Sequence, residues 1–166
     1  MPLLSILIPV YNEQNTILTV IKKALDVPLP AGVEREIIAI DDGSTDDTGR
    51  LLETLKSNPR VCTIKLKKNQ GKTAAVVQGL AAAKGDILLI QDADLEYDPK
   101  YYPELVAPIL AGQEKVVYGS RFLGRIQKMT FINWFANRIS YLTINGIFKT
   151  RISDFHTGFK VFAREI

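Results

Sequence analysis

The chain alternates between uninterrupted apolar runs and segments with helical spacing. Residues 3–10 form the first apolar run, closed by Pro9 and Tyr11, the pattern of a parallel strand buried on both faces. Residues 12–25 follow with Ile17, Val20, Ile21 and Leu25 at helical intervals, and Pro28, Pro30 and Gly32 break the pattern into a loop. A second apolar strand, 36–40, runs into Asp41-Asp42-Gly43-Ser44; Asp46 or Asp47 can then cap a helix that carries Leu51, Leu52 and Leu55. Residues 61–66 predict a third strand, 71–84 an alanine-rich helix stopped by Gly85, and 86–91 a fourth strand ending at Asp92-Ala93-Asp94. Residues 103–110 have helical spacing, and 115–118 read as a fifth strand ahead of Gly119-Ser120-Arg121.

Strands alternating with helices predict crossover units, and hence a doubly wound α/β domain with a parallel sheet. Ligands of such sheets sit beyond the carboxyl ends of the strands. Tyr11-Asn12-Glu13, Asp41-Asp42, Asp92-Ala93-Asp94 and Ser120-Arg121 each follow a predicted strand, so the four clusters are expected on one rim.

The length of 166 residues suits one such domain, and 46% hydrophobic against 23% charged residues excludes a disordered tail. The single cysteine, Cys62, excludes an internal disulfide and a thiolate metal cluster, and its apolar run predicts a core position. Met1-Pro2 leads straight into a strand with no basic start or cleavage site, so no signal peptide is expected. No uncharged apolar stretch approaches the roughly 18–20 residues of a spanning helix. The net charge of +3 conceals an uneven distribution. Between Lys115 and Ser153 there is no acid, while Lys115, Arg121, Arg125, Lys128, Arg138, Lys149 and Arg151 are basic, leaving 14 basic against all 18 acidic residues elsewhere. That block points to an anionic partner.

The chemistry concentrates at Gln91-Asp92-Ala93-Asp94-Leu95-Glu96. Two carboxylates one residue apart repel each other unless a cation or hydrogen-bond donors offset them. Mg²⁺ takes one or two carboxylates together with substrate phosphate oxygens. Asp92 and Asp94 are therefore candidate metal ligands, with Glu96 as a further oxygen; the plainer alternative is a solvated acidic turn, or Asp94 capping a short helix. Asp41-Asp42 occupies the analogous place on a neighbouring strand, where a carboxylate can accept from a ribose hydroxyl or a base N–H; a simple turn is the alternative. Asn69-Gln70-Gly71-Lys72-Thr73 looks like the tail of a phosphate loop, but Leu66 stands where that loop requires glycine, and there is no Gly-x-Gly-x-x-Gly. ATPase and dehydrogenase readings lose their support. Lys72 at the helix start could still face a nucleotide, or be an exposed first-turn residue.

In this order the clusters resemble glycosyltransferase family 2, the inverting enzymes of the GT-A fold, and most of all its dolichyl-phosphate mannose synthase and polyprenyl-phosphate glycosyltransferase branch. The resemblance rests on Ile8-Pro9-Val10-Tyr11-Asn12-Glu13, Ile40-Asp41-Asp42-Gly43-Ser44-Thr45-Asp46, Asn69-Gln70-Gly71-Lys72, Gln91 to Glu96, Gly119-Ser120-Arg121, and Ser153-Asp154 with Thr157-Gly158-Phe159-Lys160. It implies a GT-A, Rossmann-like domain with a mainly parallel sheet flanked by helices. It implies that Pro9, Tyr11, Glu13, Ile40 and Asp42 hold the nucleoside, that Asp92, Ala93 and Asp94 hold Mg²⁺ or Mn²⁺ and the diphosphate, and that Arg121 contacts phosphate. Asp154 would sit by the acceptor. His156 stands where relatives often carry Glu or Pro, which leaves acceptor choice open. Relatives also run on beyond the point where this chain ends at Ile166, so residues 1–166 are expected to be one catalytic domain lacking its C-terminal part.

A departing nucleoside diphosphate needs its charge offset, the task of a metal acting as a Lewis acid. A sugar-hydroxyl acceptor would also need a base, for which Asp154 is the candidate. A polyprenyl phosphate is already ionised and needs cations to place it, which the basic block with Arg121, Arg125 and Arg138 supplies. Within 122–150, Phe131, Trp134, Phe135, Tyr141 and Leu142 share a broad helical face with Arg138, opposite Asn133, Asn137 and Ser140. That is the composition of an interfacial helix, although a core-facing helix whose Arg138 snorkels fits too. The expected partners are a nucleoside-diphosphate sugar, a polyprenyl phosphate and a membrane surface, with no nucleic acid, and the expected location is peripheral, on the cytoplasmic side. Transfer to a sugar hydroxyl, or nucleotide-sugar binding without turnover, are the alternatives.

Overall fold

The structure is a computed structural model that describes residues 1–120 and 157–165. The elements run β1 (Leu3–Val10), α1 (Ile17–Asp26), β2 (Glu34–Asp41), α2 (Thr48–Glu53), β3 (Val61–Lys65), α3 (Lys72–Ala82), β4 (Ile87–Ile90), a 3₁₀ turn (Pro99–Tyr101), α4 (Tyr102–Leu110), β5 (Val116–Tyr118) and β6 (Lys160–Ala163). They build one sheet in the order β3-β2-β1-β4-β6-β5. The first four strands in that order are mutually parallel. β6 runs antiparallel to both β4 and β5.

The alternating side chains of β1 and β2 divide the core. Leu4, Ile6, Ile8, Ile37 and Ala39 face α1, with Ile17, Val20 and Ile21, and the α4 residues Tyr102 and Val106 join the same cluster. Leu7, Ile38 and Ile40 face α3 and pack with Ala75 and Ala83. Strands covered on both faces must be apolar throughout, which is why these runs carry no polar alternation.

Four sequence-based expectations are corrected. Strand β6 was not expected: insertion between β4 and β5 is what makes its four residues a strand. Cys62 is exposed rather than core, because β3 is an edge strand and α3 packs mainly over β1 and β2, leaving this position of the outer strand open. Helix α1 begins at Ile17 rather than Asn12, since residues 12–14 spend polar groups on the neighbouring loop. Gly85 does not terminate α3, which ends at Ala82 with Ala83 already extended. Its glycine is needed elsewhere: a Cβ there would lie 2.5 Å from the Leu3 carbonyl oxygen and 2.6 Å from Ser5 Oγ.

Candidate active site

The β1–α1 and β2–α2 loops are sewn together by reciprocal hydrogen bonds. Asn12, in the left-handed region at φ 55°, donates its N–H to Ser44 Oγ at 3.0 Å, and its Oδ1 accepts from the Thr45 N–H at 2.8 Å. The Glu13 N–H donates to Thr48 Oγ1 at 2.8 Å, the Gln14 N–H to Asp46 Oδ2 at 3.2 Å, and the Asp47 N–H to Gln14 Oε1 at 3.0 Å. Asp47 occupies the N-cap position of α2 without a side-chain cap bond, and Asp46 just before it supplies the acceptor, its Oδ1 taking the Thr48 N–H at 2.9 Å. Partial burial pushes the Asp46 carboxyl up, but the hydrogen bonds from Thr48 and Gln14 outweigh it and hold it below the usual carboxylate range. Tyr11 stays exposed above this seam, and Glu13 is half-buried, its Oε2 accepting from Thr16 Oγ1 at 2.6 Å.

Strand alternation splits the adjacent acids of β2. Asp41 lies on the Ile37–Ala39 side. Its Oδ1 accepts from the Ser44 N–H at 2.8 Å, and its buried Oδ2 has no hydrogen-bond partner. Asp42 lies on the opposite side, buried, with Oδ1 accepting from the Gln70 N–H at 2.9 Å and Oδ2 from the Gly71 N–H at 2.8 Å. Asp42 thereby fixes the loop that leads into α3. Gly43, at φ 72°, lets the two loops meet: a Cβ there would come within 2.6 Å of the Lys68 main chain. Ile40 is fully buried beneath α3 and half-buried Pro9 sits within β1, so the Ile40 side chain belongs to the core.

The loop after β4 is organised from below by a residue to which the sequence analysis gave no separate role. Gln91 is fully buried; its Nε2 donates to the Asp92 carbonyl at 2.7 Å and to the Tyr97 carbonyl at 3.2 Å, bracketing the acidic loop. Its Oε1 accepts from the Tyr102 hydroxyl at 2.9 Å. Burial, with a smaller push from Asp98, raises the Tyr102 phenol far above its ordinary range, so it remains a donor. A buried amide with every group partnered rigidifies its surroundings. Leu95, at φ 64°, marks the strained apex of the loop. The entrance to β6 closes one side. A Cβ on Gly158 would lie 2.7 Å from Asp92 Oδ2 and 2.5 Å from the Tyr97 ring, while Phe159 packs edge-on against Tyr97 and Tyr102. The antiparallel insertion of β6 brings Gly158 here; the motif Thr157-Gly158-Phe159-Lys160 marks the residue in the sequence, but not its contact with Asp92.

Lys72, in the first turn of α3, reaches across and forms an ion pair with Asp92 Oδ1. Asp94 Oδ1 accepts from the Glu96 N–H at 3.0 Å. Ala93 between them is buried, and Asp94 and Glu96 are exposed. The structure thus joins Tyr11, Glu13, Asp42, Lys72, Asp92 and Asp94 along the carboxyl ends of β1, β2 and β4. Among the described residues no three acids, histidines or cysteines gather into a ready cation site, so Asp92, Asp94 and Glu96 do not converge as a group. The two aspartates still offer all-oxygen chemistry suited to a hard divalent ion that brings phosphate oxygens with it. Arg121, Asp154, His156 and the 122–150 segment lie outside the described residues.

Comparison with known proteins identifies the family and the fold. An undecaprenyl-phosphate 4-deoxy-4-formamido-L-arabinose transferase from Edwardsiella ictaluri is 34% identical over 145 residues, which are 86% of this chain and 42% of that protein. The chain thus spans less than half the length of this relative. Glucosyl-3-phosphoglycerate synthase from Mycobacterium tuberculosis superposes with a TM-score of 0.67 at 28% identity, over 99% of this chain and 58% of the other. A mannosyltransferase from Pyrobaculum calidifontis, solved with GDP-Man and Mn²⁺, shares the fold with a TM-score of 0.71 at 20% identity, over 99% of this chain and 45% of the other. Both of these solved structures have the GT-A fold. Residues 5–166 match the description of Glycosyl transferase family 2, and the chain belongs to that family.

Proposed function

We propose that the chain is the catalytic domain of an inverting, metal-dependent glycosyltransferase that moves a sugar from a nucleoside diphosphate to a polyprenyl phosphate at a membrane surface. The observation that carries this is the continuous rim from Asp42 through Lys72 to Asp92 and Asp94, which has the order a nucleoside followed by a diphosphate requires. The polyprenyl-phosphate acceptor is supported by the 34% identical relative, whose name states that class of acceptor.

In this reading Tyr11 offers an exposed ring for the base, Glu13 offers acceptors to base or ribose, and buried Asp42 holds the Gln70–Gly71 loop at the nucleoside end. Asp92 and Asp94 would hold Mg²⁺ or Mn²⁺, which when bound neutralises the diphosphate as a leaving group. Gln91 keeps the two acids in register, and Lys72 supplies a positive charge at the same point. Arg121 is proposed to contact phosphate and Asp154 to lie by the acceptor. Because the acceptor phosphate is already ionised at neutral pH, no residue need remove a proton from it, and cations that orient it suffice. The basic, aromatic 122–150 segment is the proposed contact with the membrane surface. Among the described residues no helix is long and apolar enough to cross a bilayer.

The test is incubation with Mn²⁺ or Mg²⁺, a panel of UDP- and GDP-sugars and a short polyprenyl phosphate. Formation of a lipid-linked sugar, lost in Asp94→Ala, is the expected result. Transfer only to saccharide hydroxyls would replace the acceptor assignment, and donor binding with neither product would reduce the chain to a binding module.

A further inference from the structure

We infer that Lys72 is a built-in stand-in for the divalent cation, so that the cation site opens only when the diphosphate arrives to take the lysine. This rests on the proposed function and concerns the order in which the same site fills.

Both aspartates at that site already have neighbours. Asp92 Oδ1 is held by the Lys72 ammonium. Asp92 Oδ2 lies against Gly158, close enough that a methyl group could not be added there. Asp94 Oδ1 is engaged by the Glu96 N–H. An incoming cation therefore meets a positive charge already seated on Asp92. Mg²⁺ gives up its waters reluctantly and is ordinarily held by one or two carboxylates together with substrate phosphate oxygens, and before the diphosphate arrives the phosphate oxygens are missing and one carboxylate is paired with Lys72.

A nucleoside diphosphate changes the balance without creating unpaired charge. The Lys72 ammonium can pass from Asp92 to a phosphate oxygen, and the cation can then join Asp92, Asp94 and the diphosphate. One cation–carboxylate pair is exchanged for another, and the ammonium keeps an anionic partner throughout. Two features suit Lys72 to this exchange. Its side chain is 53% exposed against 22% for Asp92, so its four-carbon stem can swing while the carboxylate stays put. Its main chain, in contrast, is anchored, because the Gln70 and Gly71 N–H groups immediately before it are bound by Asp42. The movement is confined to the side chain and needs no shift of α3. Lys72 thus couples the nucleoside end of the rim to its cation end, and by reciprocity cation and nucleotide strengthen each other's binding equally.

The experiment measures Mn²⁺ affinity by electron paramagnetic resonance for the full chain, Lys72→Met and Lys72→Arg, each alone and with saturating UDP or GDP. The exposed position lets the substitutions spare the core, which circular dichroism monitors. Wild type should bind Mn²⁺ weakly alone and at least about fivefold more tightly with nucleotide, the lower bound of ordinary site–site coupling. Lys72→Met should bind Mn²⁺ alone more tightly than wild type by a similar factor and lose most of the nucleotide dependence, whereas Lys72→Arg should behave like wild type. Equal Mn²⁺ affinity of wild type and Lys72→Met without nucleotide, both still binding Mn²⁺ with it, overturns the stand-in role and leaves the proposed function intact. Absence of Mn²⁺ binding by wild type even with both nucleotides overturns both.

Discussion

Replacing Asp42 by asparagine probes how the nucleoside side of the rim is held together. The carboxylate is 3% exposed, and its two oxygens accept from the Gln70 and Gly71 N–H groups at 2.9 and 2.8 Å. Asparagine keeps the shape and one acceptor but turns an NH₂ group towards a main-chain N–H. One charge-assisted bond disappears, a class contributing about 1.5–3 kcal/mol, and a buried donor left without an acceptor costs about 1–3 kcal/mol. The two losses share the same contact and partly overlap, so a total of about 2–4 kcal/mol is expected. For a chain of this size that lowers Tm by roughly 6–12 °C at the middle of the range. Urea unfolding followed by circular dichroism gives the free energy, and hydrogen exchange of peptides covering 66–72 locates it. The amides of Gln70 and Gly71 should lose protection before the rest of the sheet. A stability change within about 0.5 kcal/mol, the size of an ordinary surface substitution, together with unaltered exchange in that segment, would refute the assignment of Asp42 as the anchor of this loop.

Tyr102→Phe strands the Gln91 carbonyl in a fully buried site and should cost about 1–3 kcal/mol in urea unfolding; wild-type stability would show that the hydroxyl does not support the loop. Gly158→Ala forces a methyl group to within 2.7 Å of Asp92 Oδ2. It should weaken Mn²⁺-dependent UDP or GDP binding by about tenfold, a change of about 1.4 kcal/mol, and calorimetric affinity equal to wild type would count against the packing argument. Asp46 and Asp47 have folded pKa values below the usual range, Asp46 through the opposed effects of burial and its hydrogen bonds, Asp47 through Arg50. Their stabilising contribution is therefore complete above the unfolded carboxylate pKa of about 4 and is lost as pH falls through the lower folded values. Asp46→Asn should flatten the acid limb of the stability–pH curve, and a limb as steep as in wild type would show that the seam between the first two loops does not depend on this charge.

What the sequence determined alone was the set of buried strands and the polar clusters that end them. A strand covered on both faces must be apolar along its whole length, so β1, β2 and β4 announced themselves, and whatever followed each had to lie at the sheet's carboxyl rim. The type of chemistry was also legible, because paired acids such as Asp92 and Asp94 need a counter-charge wherever they stand. Tertiary structure decided which counter-charge each acid meets. Lys72 reaches Asp92 from 20 residues away, and Asp42 binds main-chain groups 28 and 29 residues on, distances over which spacing carries no signal. Strand β6 had the same character: Lys160–Ala163 becomes a strand by filling the gap between β4 and β5. Cys62 failed in the opposite direction, since an apolar run promises burial only where another element covers it. Local pattern sets what each segment can become, and non-local hydrogen bonds and packing choose its partner.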